Sequence, residues 1–351
     1  MKNITWGISV VLLCSVGLSA QDPHPTFTVG NATARRGQKS YGAITVPAGS
    51  DAGYAIPVAI VHGARPGPVL AVVAGAHGSE YASILAVEQV IARANPAEIA
   101  GTLILVPIVN INSFEKITPH VNPTDNKSMN RFYPGNAAGT QTDRASYAMT
   151  KEVVDRCDHL IDLHGGDLDE NLRPYSYWTV TGNKRQDDVS REMVLAFGLD
   201  HIIIAADRPK DPAASRYLEN TASVRGKPSF AAEAGRSGPV DSHDATLLAD
   251  GVFGVMAHLK MTARAPQPVK NPVWVETVTV TATRDGMFWP AVDRDGHVTK
   301  GAKLGAITDY LNRPLQDIVS PEAGIVMFVR ALPSIRTGDT VASIGVAAKP
   351  Q

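Results

Sequence analysis

Apolar and polar positions follow one pattern up to about residue 265 and a different pattern after it. In the first part, continuous apolar runs such as GTLILVPIVN and HLIDLHGG alternate with stretches that are apolar every three or four positions, such as YASILAVEQVIARANP. Apolar runs are typical of strands buried on both faces, and the spaced pattern is typical of helices that cover them. The pattern therefore predicts an α/β fold with a mixed, mostly parallel sheet flanked by helices.

The second part begins with the Pro-rich stretch RAPQPVKNPV. Strict alternation follows in WVETVTVTAT, interrupted by turns such as RDG and RTGD, and no stretch has a helical period. Short alternating runs between Gly turns are typical of small β-structures. We therefore predict a catalytic α/β domain over residues 21–265 and a small all-β domain over residues 266–351. Whether the β domain caps a cleft or supports a homo-oligomer stays open.

The N-terminus differs from both parts. Lys2 precedes the apolar run GISVVLLCSVGL, which ends in Ser-Ala before a polar stretch. This is the layout of a signal peptide, with cleavage expected after Ala20, and the run is shorter than the roughly 20 residues of a membrane span. Lipid attachment at Cys14 is disfavoured because Leu13 is too bulky for a good lipobox. We expect residues 1–20 to be a signal peptide and the protein to be secreted or periplasmic, without a membrane span after cleavage.

Composition narrows the function classes. The chain has 351 residues, 44% hydrophobic and 19% charged, and 33 basic against 34 acidic residues give a net charge of -1. These values are ordinary for a globular protein, and they indicate no basic surface for nucleic acid. With the signal peptide removed, Cys157 is the remaining cysteine, so an internal disulfide is excluded. We expect a small molecule or short peptide as the partner.

Three candidate metal ligands follow two of the apolar runs. His77 and Glu80 lie in GAHGSE, after the run VLAVVAG, and His164 ends the run HLIDLH. Sites in α/β sheets form where strands end. Imidazole and carboxylate suit Zn²⁺, and three protein ligands leave a fourth position for water, as in catalytic zinc sites. Either segment alone would be an ordinary polar turn, but together they predict one catalytic Zn²⁺.

Two carboxylates in apolar strand segments are candidates for supporting roles. Glu233 stands in the apolar strand SFAAEAG, where an acidic residue is costly unless it is used or paired. It could be a general base that takes a proton from water and delivers it to the leaving nitrogen, or a partner in a buried ion pair. Asp162 precedes His164 by two residues, so both face the same way on a strand. It could orient that histidine or cap a turn.

Asn130 and Arg131 stand together in the polar segment KSMNRFYPG. A guanidinium fork beside an amide is suited to a carboxylate of the substrate. As a lone dipeptide, this pair has no diagnostic value.

The segments GAHGSE, NRFYPG, DLHG and EAG occur in the same order as the motifs of the succinylglutamate desuccinylase/aspartoacylase family, a branch of the zinc carboxypeptidase fold, which this chain resembles. The resemblance extends from Tyr41 to the Pro-rich stretch. It implies amide hydrolysis with one Zn²⁺, and it implies roles for six residues: zinc ligation by His77, Glu80 and His164, general base and acid catalysis by Glu233, and binding of a substrate carboxylate by Asn130 and Arg131.

One departure concerns the substrate. Members of this family often carry a further arginine some residues before the Asn-Arg pair, but SFEKITPHVNPTDNKSMN contains none. His120 is the candidate substitute, and a solvent-exposed loop histidine is the alternative. The leading hypothesis is an exported zinc hydrolase of N-acyl amino acids. The alternatives are a periplasmic metallocarboxypeptidase or amidase for small or cell-wall peptides, and an inactive zinc-stabilised binding protein, against which the presence of Glu233 counts.

Overall fold

The structure is a computed structural model that describes residues 24–239 and 242–350. The predicted signal peptide, including Cys14, lies outside the described residues. Within them the chain forms six α-helices and eighteen strands. The helices are α1 (Tyr81–Arg93), α2 (Ile111–Lys116), α3 (Gln141–Glu152), α4 (Lys184–Phe197), α5 (Leu218–Ser223) and α6 (Ser242–His258).

The first ten strands belong to the part that was predicted to be α/β. They are β1 (Thr26–Val29), β2 (Ala32–Arg35), β3 (Gln38–Val46), β4 (Tyr54–His62), β5 (Arg65–Val73), β6 (Ala100–Val106), β7 (His159–His164), β8 (Glu170–Thr179), β9 (His201–Ala205) and β10 (Ser229–Arg236). The remaining eight follow the Pro-rich stretch. They are β11 (Val273–Thr281), β12 (Gly286–Pro290), β13 (His297–Val298), β14 (Lys303–Thr308), β15 (Pro314–Val319), β16 (Gly324–Arg330), β17 (Ser334–Ile335) and β18 (Thr340–Ala347).

A twelve-stranded sheet runs through the molecule in the order β13-β16-β18-β11-β9-β8-β10-β7-β5-β6-β4-β3. The α/β class and the mixed sheet are confirmed. The expectation of a mostly parallel sheet holds for its centre, where β6, β5, β7 and β10 are parallel neighbours. It is wrong for the whole sheet, because antiparallel strands extend both sides and only five of the twelve pairings are parallel.

Apolar side chains cover both faces of the central strands. On one face, helices α1, α4 and α6 pack against Ile161 and Leu163 of β7. On the other face, Leu160 of β7 belongs to a second cluster that includes residues of α3 and α5. Cys157 lies in this second cluster, where burial raises the pKa of its thiol to about 12, so it is an apolar core residue and not a reactive thiol. The continuous apolar runs of the sequence are explained by this double coverage.

The strands after the Pro-rich stretch divide between two sheets. In the twelve-stranded sheet, β11 pairs in parallel with β9, and β16 pairs with β8. The strands β15-β14-β12-β17 form a separate four-stranded sheet, whose buried apolar side chains share one cluster with residues of β16 and β18 from the twelve-stranded sheet. Residues 262–272 contain no helix or strand. The domain boundary at residue 265 stays a prediction, since hydrogen-bonded strands connect the two parts. No described helix is long and apolar enough to cross a bilayer.

Candidate active site

The turn between β5 and α1 positions the first two candidate ligands. Its small residues permit a tight path: Gly75 has φ of +69°, and a Cβ on Gly78 would lie 2.1 Å from the backbone nitrogen of Phe114. The turn therefore requires glycine at these places. It brings His77 Nδ1 to 2.6 Å from Glu80 Oε1, with Glu80 at the N-terminal cap of α1.

The third candidate ligand reaches the same point from the neighbouring strand. Because β5 and β7 are parallel neighbours, their carboxyl ends meet at one edge of the sheet. His164 Nδ1 lies 2.9 Å from Glu80 Oε2, and the rings of His77 and His164 are 5.3 Å apart. The ligand atoms of the three residues all lie within 4.8 Å of one another. The fold thus brings together the three residues that the sequence suggested as a metal site.

The donor set fits a zinc ion. Both histidines direct Nδ1 towards Glu80. Their Nε2 atoms face other groups. His77 Nε2 lies 3.2 Å from Ser128 Oγ, and His164 Nε2 lies 3.4 Å from Asp162 Oδ2. Neither oxygen of the buried Asp162 has another hydrogen-bond partner among the described residues. A carboxylate that accepts the Nε2 proton leaves the Nδ1 lone pair free for a metal. Two imidazoles and a carboxylate are typical zinc ligands.

Asn130 contacts the same histidine from the other side. Its Nδ2 lies 2.7 Å from His164 Nε2, while its Oδ1 is buried without a partner. Amide nitrogen and oxygen are assigned from their surroundings. With a metal at Nδ1 and the proton on Nε2, turning the amide over would let the Asn130 oxygen accept this proton at a shorter distance than Asp162 does.

The charges around this point favour a cation. Burial acts to raise the pKa of Glu80, but His77 and His164 hold it well below its usual range. Burial likewise acts against the charged form of His164, yet Asp162 and Glu80 raise its pKa well above the ordinary value. Two carboxylates therefore draw a proton onto His164, and a divalent metal ion would satisfy the same excess of negative charge.

Glu233 stands directly opposite His164 in the parallel pairing of β10 with β7, and opposite Tyr175 of β8 on its other side. Burial raises the pKa of Glu233 to about 7, and the charge of Glu80 adds to this, while His164 and a hydrogen bond from Tyr175 oppose it. A carboxyl group whose pKa lies near neutrality can both accept and donate a proton during turnover.

A cavity of about 400 Å³ opens beside these groups. It is lined by seven of the eight residues that the sequence suggested, namely His77, Glu80, His120, Asn130, Arg131, His164 and Glu233. The eighth, Asp162, is fully buried and contacts His164. A 400 Å³ cavity is the size of a small-molecule site.

Arg131 lies in a 3₁₀ turn, Met129–Arg131. Its Nη1 donates to the carbonyl of Asn130 at 2.6 Å, and its guanidinium lies 5.0 Å from the ring centre of Tyr217. No carboxylate of the described residues forms an ion pair with it. The guanidinium is therefore available to an anionic group in the cavity.

A second arginine in the cavity was missed by the sequence reasoning. Arg208 follows β9, stacks on Tyr217 at 4.2 Å and on Tyr177 at 5.2 Å, and lies 3.1 Å from Glu219 through its Nη2. It supplies a second guanidinium to a site where the segment before the Asn-Arg pair contains no further arginine. Its position just after the apolar strand HIIIAAD was the available signal, since the other site residues also follow strand ends.

His120, the predicted substitute for that arginine, also faces the cavity, with its ring 5.9 Å from that of His77. Its Nε2 lies 2.7 Å from Asp169 Oδ1, and its Nδ1 lies 3.4 Å from Asp167 Oδ2. Burial acts against its charged form, but the hydrogen bond to Asp169 and the charge of Asp167 raise the pKa of His120 to about 9. Its positive charge is thus already paired with carboxylates of this chain.

Glu170 is a further cavity residue that the sequence reasoning missed. Its Oε2 accepts a hydrogen bond from the backbone nitrogen of Asp167 at 3.1 Å. Burial, together with the charges of Glu80 and Glu233, raises the pKa of Glu170 to about 8, against the opposing charge of His120. A raised pKa of this kind indicates that burial and the neighbouring negative charges outweigh the attraction of His120.

Known proteins resemble this chain over most of its length. It is 24% identical over 296 residues, covering 82% of this chain and 85% of the relative, to an N-alpha-acetyl-L-2,4-diaminobutyric acid deacetylase of Halomonas elongata. A succinylglutamate desuccinylase/aspartoacylase structure from Rhodobacter sphaeroides superimposes with a TM-score of 0.79 at 21% identity, covering 89% of this chain and 96% of that one.

A product-bound structure of an ectoine utilization protein from Ruegeria pomeroyi gives a TM-score of 0.79 at 21% identity, covering 92% of this chain and 99% of that one. At these identities the structures show a shared fold. The family model for the succinylglutamate desuccinylase/aspartoacylase catalytic domain matches residues 66–259, which contain all the residues proposed from the sequence for the site. The resemblance seen in the four motifs is confirmed, and the chain belongs to the succinylglutamate desuccinylase/aspartoacylase family.

Proposed function

We propose that the protein is an exported, zinc-dependent hydrolase that cleaves the amide bond of N-acyl amino acids. Family membership and a relative named as a deacetylase support amide hydrolysis. The observation that carries the proposal is Glu233, a carboxyl group with its pKa near neutrality directly opposite His164 of the candidate metal site. Export rests on the signal-peptide pattern of residues 1–20, and detection of the protein outside the cytoplasm would test it.

Substrate binding is assigned to the cationic side of the cavity. Arg131 and Arg208 both contact the ring of Tyr217, so their guanidinium groups face one region. Guanidinium groups bind carboxylates by paired hydrogen bonds. The α-carboxylate of the amino acid would bind there, which places the amide bond towards His164 and Glu233.

His77, Glu80 and His164 would hold the zinc ion, which would polarise the scissile carbonyl and favour ionisation of water. Glu233 accepts a proton from the attacking water as the water oxygen bonds to the carbonyl carbon. The same carboxyl group then donates this proton to the amide nitrogen as the C–N bond breaks. The products are a carboxylic acid and a free amino acid. Asp162 holds His164 in the orientation that keeps its Nδ1 directed at the site.

Glu233→Gln tests this function, because glutamine keeps the shape of the side chain and cannot exchange a proton. We expect hydrolysis of N-acyl amino acids to fall by roughly 10²- to 10⁴-fold. The zinc content, measured by elemental analysis, should not change. Glu276→Gln, an exposed position on β11, is the matched control. Full activity in Glu233→Gln would remove this residue from the mechanism.

A further inference from the structure

The cavity has two arginines at one end and an acidic residue, Glu170, at the other. One end contains the guanidinium groups of Arg131 and Arg208 and the carboxylate of Glu219, which pairs with Arg208 at 3.1 Å. Two cations against one anion leave this end with a net charge of about one positive unit. It requires one further carboxylate, as the α-carboxylate of an amino acid would supply.

At the other end, His120 and Glu170 line the cavity, and Asp167 and Asp169 contact His120. Asp169 contacts two cations, since its Oδ1 lies 2.7 Å from His120 Nε2 and its Oδ2 lies 3.2 Å from Arg330 Nη1. Glu170 is the third carboxyl group: one of its oxygens lies within 4.8 Å of a His120 nitrogen, and no described cation forms an ion pair of 4.0 Å or less with it. It lines the cavity, and burial with the charges of Glu80 and Glu233 raises its pKa to about 8, so its ionised form needs a further cation.

Strand β8 orders these groups along the site. Glu170 is its first residue, Tyr175 is paired with Glu233 in the middle, and Tyr177 stacks beneath Arg208 towards its end. Glu233 therefore lies between the Glu170 end and the arginine end. The contacts are consistent with this order. Arg131 hydrogen-bonds to Asn130, which in turn contacts His164. Glu170 lies near Glu80 and Glu233, whose charges raise its pKa.

This order assigns the two halves of the substrate. The scissile carbonyl must lie beside Glu233, and the α-carboxylate of the amine half must lie at the arginines. The acyl half then extends towards Glu170. An ammonium group on the acyl half would stabilise the ionised form of Glu170, which forms no ion pair of its own.

We propose that the preferred substrates are aminoacyl amino acids, which are dipeptides with a free ammonium group that binds Glu170 and a carboxylate that binds Arg131 and Arg208. The inference rests on the proposed amide hydrolysis and names its substrate class. It makes Glu170 a residue that determines specificity.

Three substrates with one scaffold test the assignment on the zinc-loaded protein. N-propionyl-L-norleucine is neutral at both positions of interest. Glycyl-L-norleucine replaces the propionyl methyl group by an ammonium group, which places the charge on the acyl half. N-propionyl-L-ornithine replaces the terminal methyl group of norleucine by an ammonium group, which places the same charge on the amine half.

We expect the wild-type protein to prefer glycyl-L-norleucine over the neutral substrate by about tenfold or more in kcat/KM, as a charged hydrogen bond permits. Glu170→Gln should abolish this preference mainly through KM, and should leave hydrolysis of N-propionyl-L-norleucine within about threefold. Glu276→Gln should keep the preference. An equal loss on all three substrates, or a preference for the ornithine substrate, would overturn the assignment of Glu170 to the acyl half.

Binding separates this inference from the proposed function. In a Glu233→Gln background the substrates can be titrated calorimetrically without turnover, and adding Glu170→Gln should weaken glycyl-L-norleucine alone by about tenfold. If no substrate is hydrolysed by the wild-type protein but this selective loss of binding is seen, the proposed hydrolysis fails and the binding assignment stands. Equal binding of the charged and neutral substrates would overturn the inference even if all of them are hydrolysed. Thermal unfolding of each variant confirms that it is folded.

Discussion

The candidate metal-site edge of the central sheet and the apolar cluster around Phe288 both contain fully buried side chains, but of opposite character. Asp162 is fully buried, with no hydrogen-bond partner among the described residues apart from the facing His164. In the four-stranded sheet, Phe288, Leu304 and Ile307 are also buried, and they share an apolar cluster with residues of β16 and β18. One region buries groups that cost stability, and the other buries groups that provide it.

The comparison indicates where the chain accepts an energetic cost for function. Buried carboxylates disfavour folding unless a cation or hydrogen bond compensates them. Near His164 the compensation is incomplete within the protein, as the raised pKa values of His164 and Glu233 indicate. The apolar cluster around Phe288 has no such deficit. Variants of the first region should therefore change metal content and activity, and variants of the second should change stability.

The largest effect is expected for His77→Ala, which removes one of the three proposed ligands. Changes to groups that merely hold a ligand in place cost roughly 10- to 100-fold in metal affinity, and loss of a ligand should exceed this. We expect purified protein to lose its stoichiometric zinc by elemental analysis, together with its hydrolytic activity. His297→Ala, an exposed histidine on β13, is the control and should retain both. Full zinc in His77→Ala would remove the distinction between the two regions.

Phe288→Ala should lower stability and leave metal content and activity unchanged. Deleting this ring leaves a cavity among Leu304, Ile307 and their neighbours, so the free energy of unfolding should fall by roughly 3 to 5 kcal/mol. Denaturant unfolding measures this loss. At a temperature where the variant remains folded, its zinc content and KM should match those of the wild type. A specific loss of zinc would show that the four-stranded sheet supports the metal site.

The smallest effect is expected for Arg208→Lys, which keeps the charge near Glu219 but removes the planar fork that binds carboxylates. We expect KM for substrates with a free α-carboxylate to rise by about tenfold, equivalent to about 1.4 kcal/mol, with kcat little changed. Arg185→Lys on the exposed face of α4 is the control. An unchanged KM would mean that Arg208 does not bind the substrate and serves only as the ion-pair partner of Glu219.

Much of the candidate site could be predicted because its residues lie in short segments with a local signature. GAHGSE, NRFYPG, DLHG and EAG each join an unusual polar residue to small or apolar neighbours. Arg208 and Glu170 could not be found in this way. Arg208 lies in an irregular segment after β9, and Glu170 is the first residue of β8; both have other charged residues as neighbours in the chain. Only the pairing of β8 with β9 and β10 brings both of them to the cavity.

The sequence by itself determined the α/β class, the family and the identities of the proposed metal ligands, because periodicity and local motifs depend on neighbouring residues in the chain. Tertiary structure alone decided which way the imidazole nitrogens face, which further arginine lines the cavity, and that Glu170 lines it as well. It also decided that strands after the Pro-rich stretch extend the central sheet. These features arise from contacts between residues far apart in the chain, and no local pattern specifies such contacts.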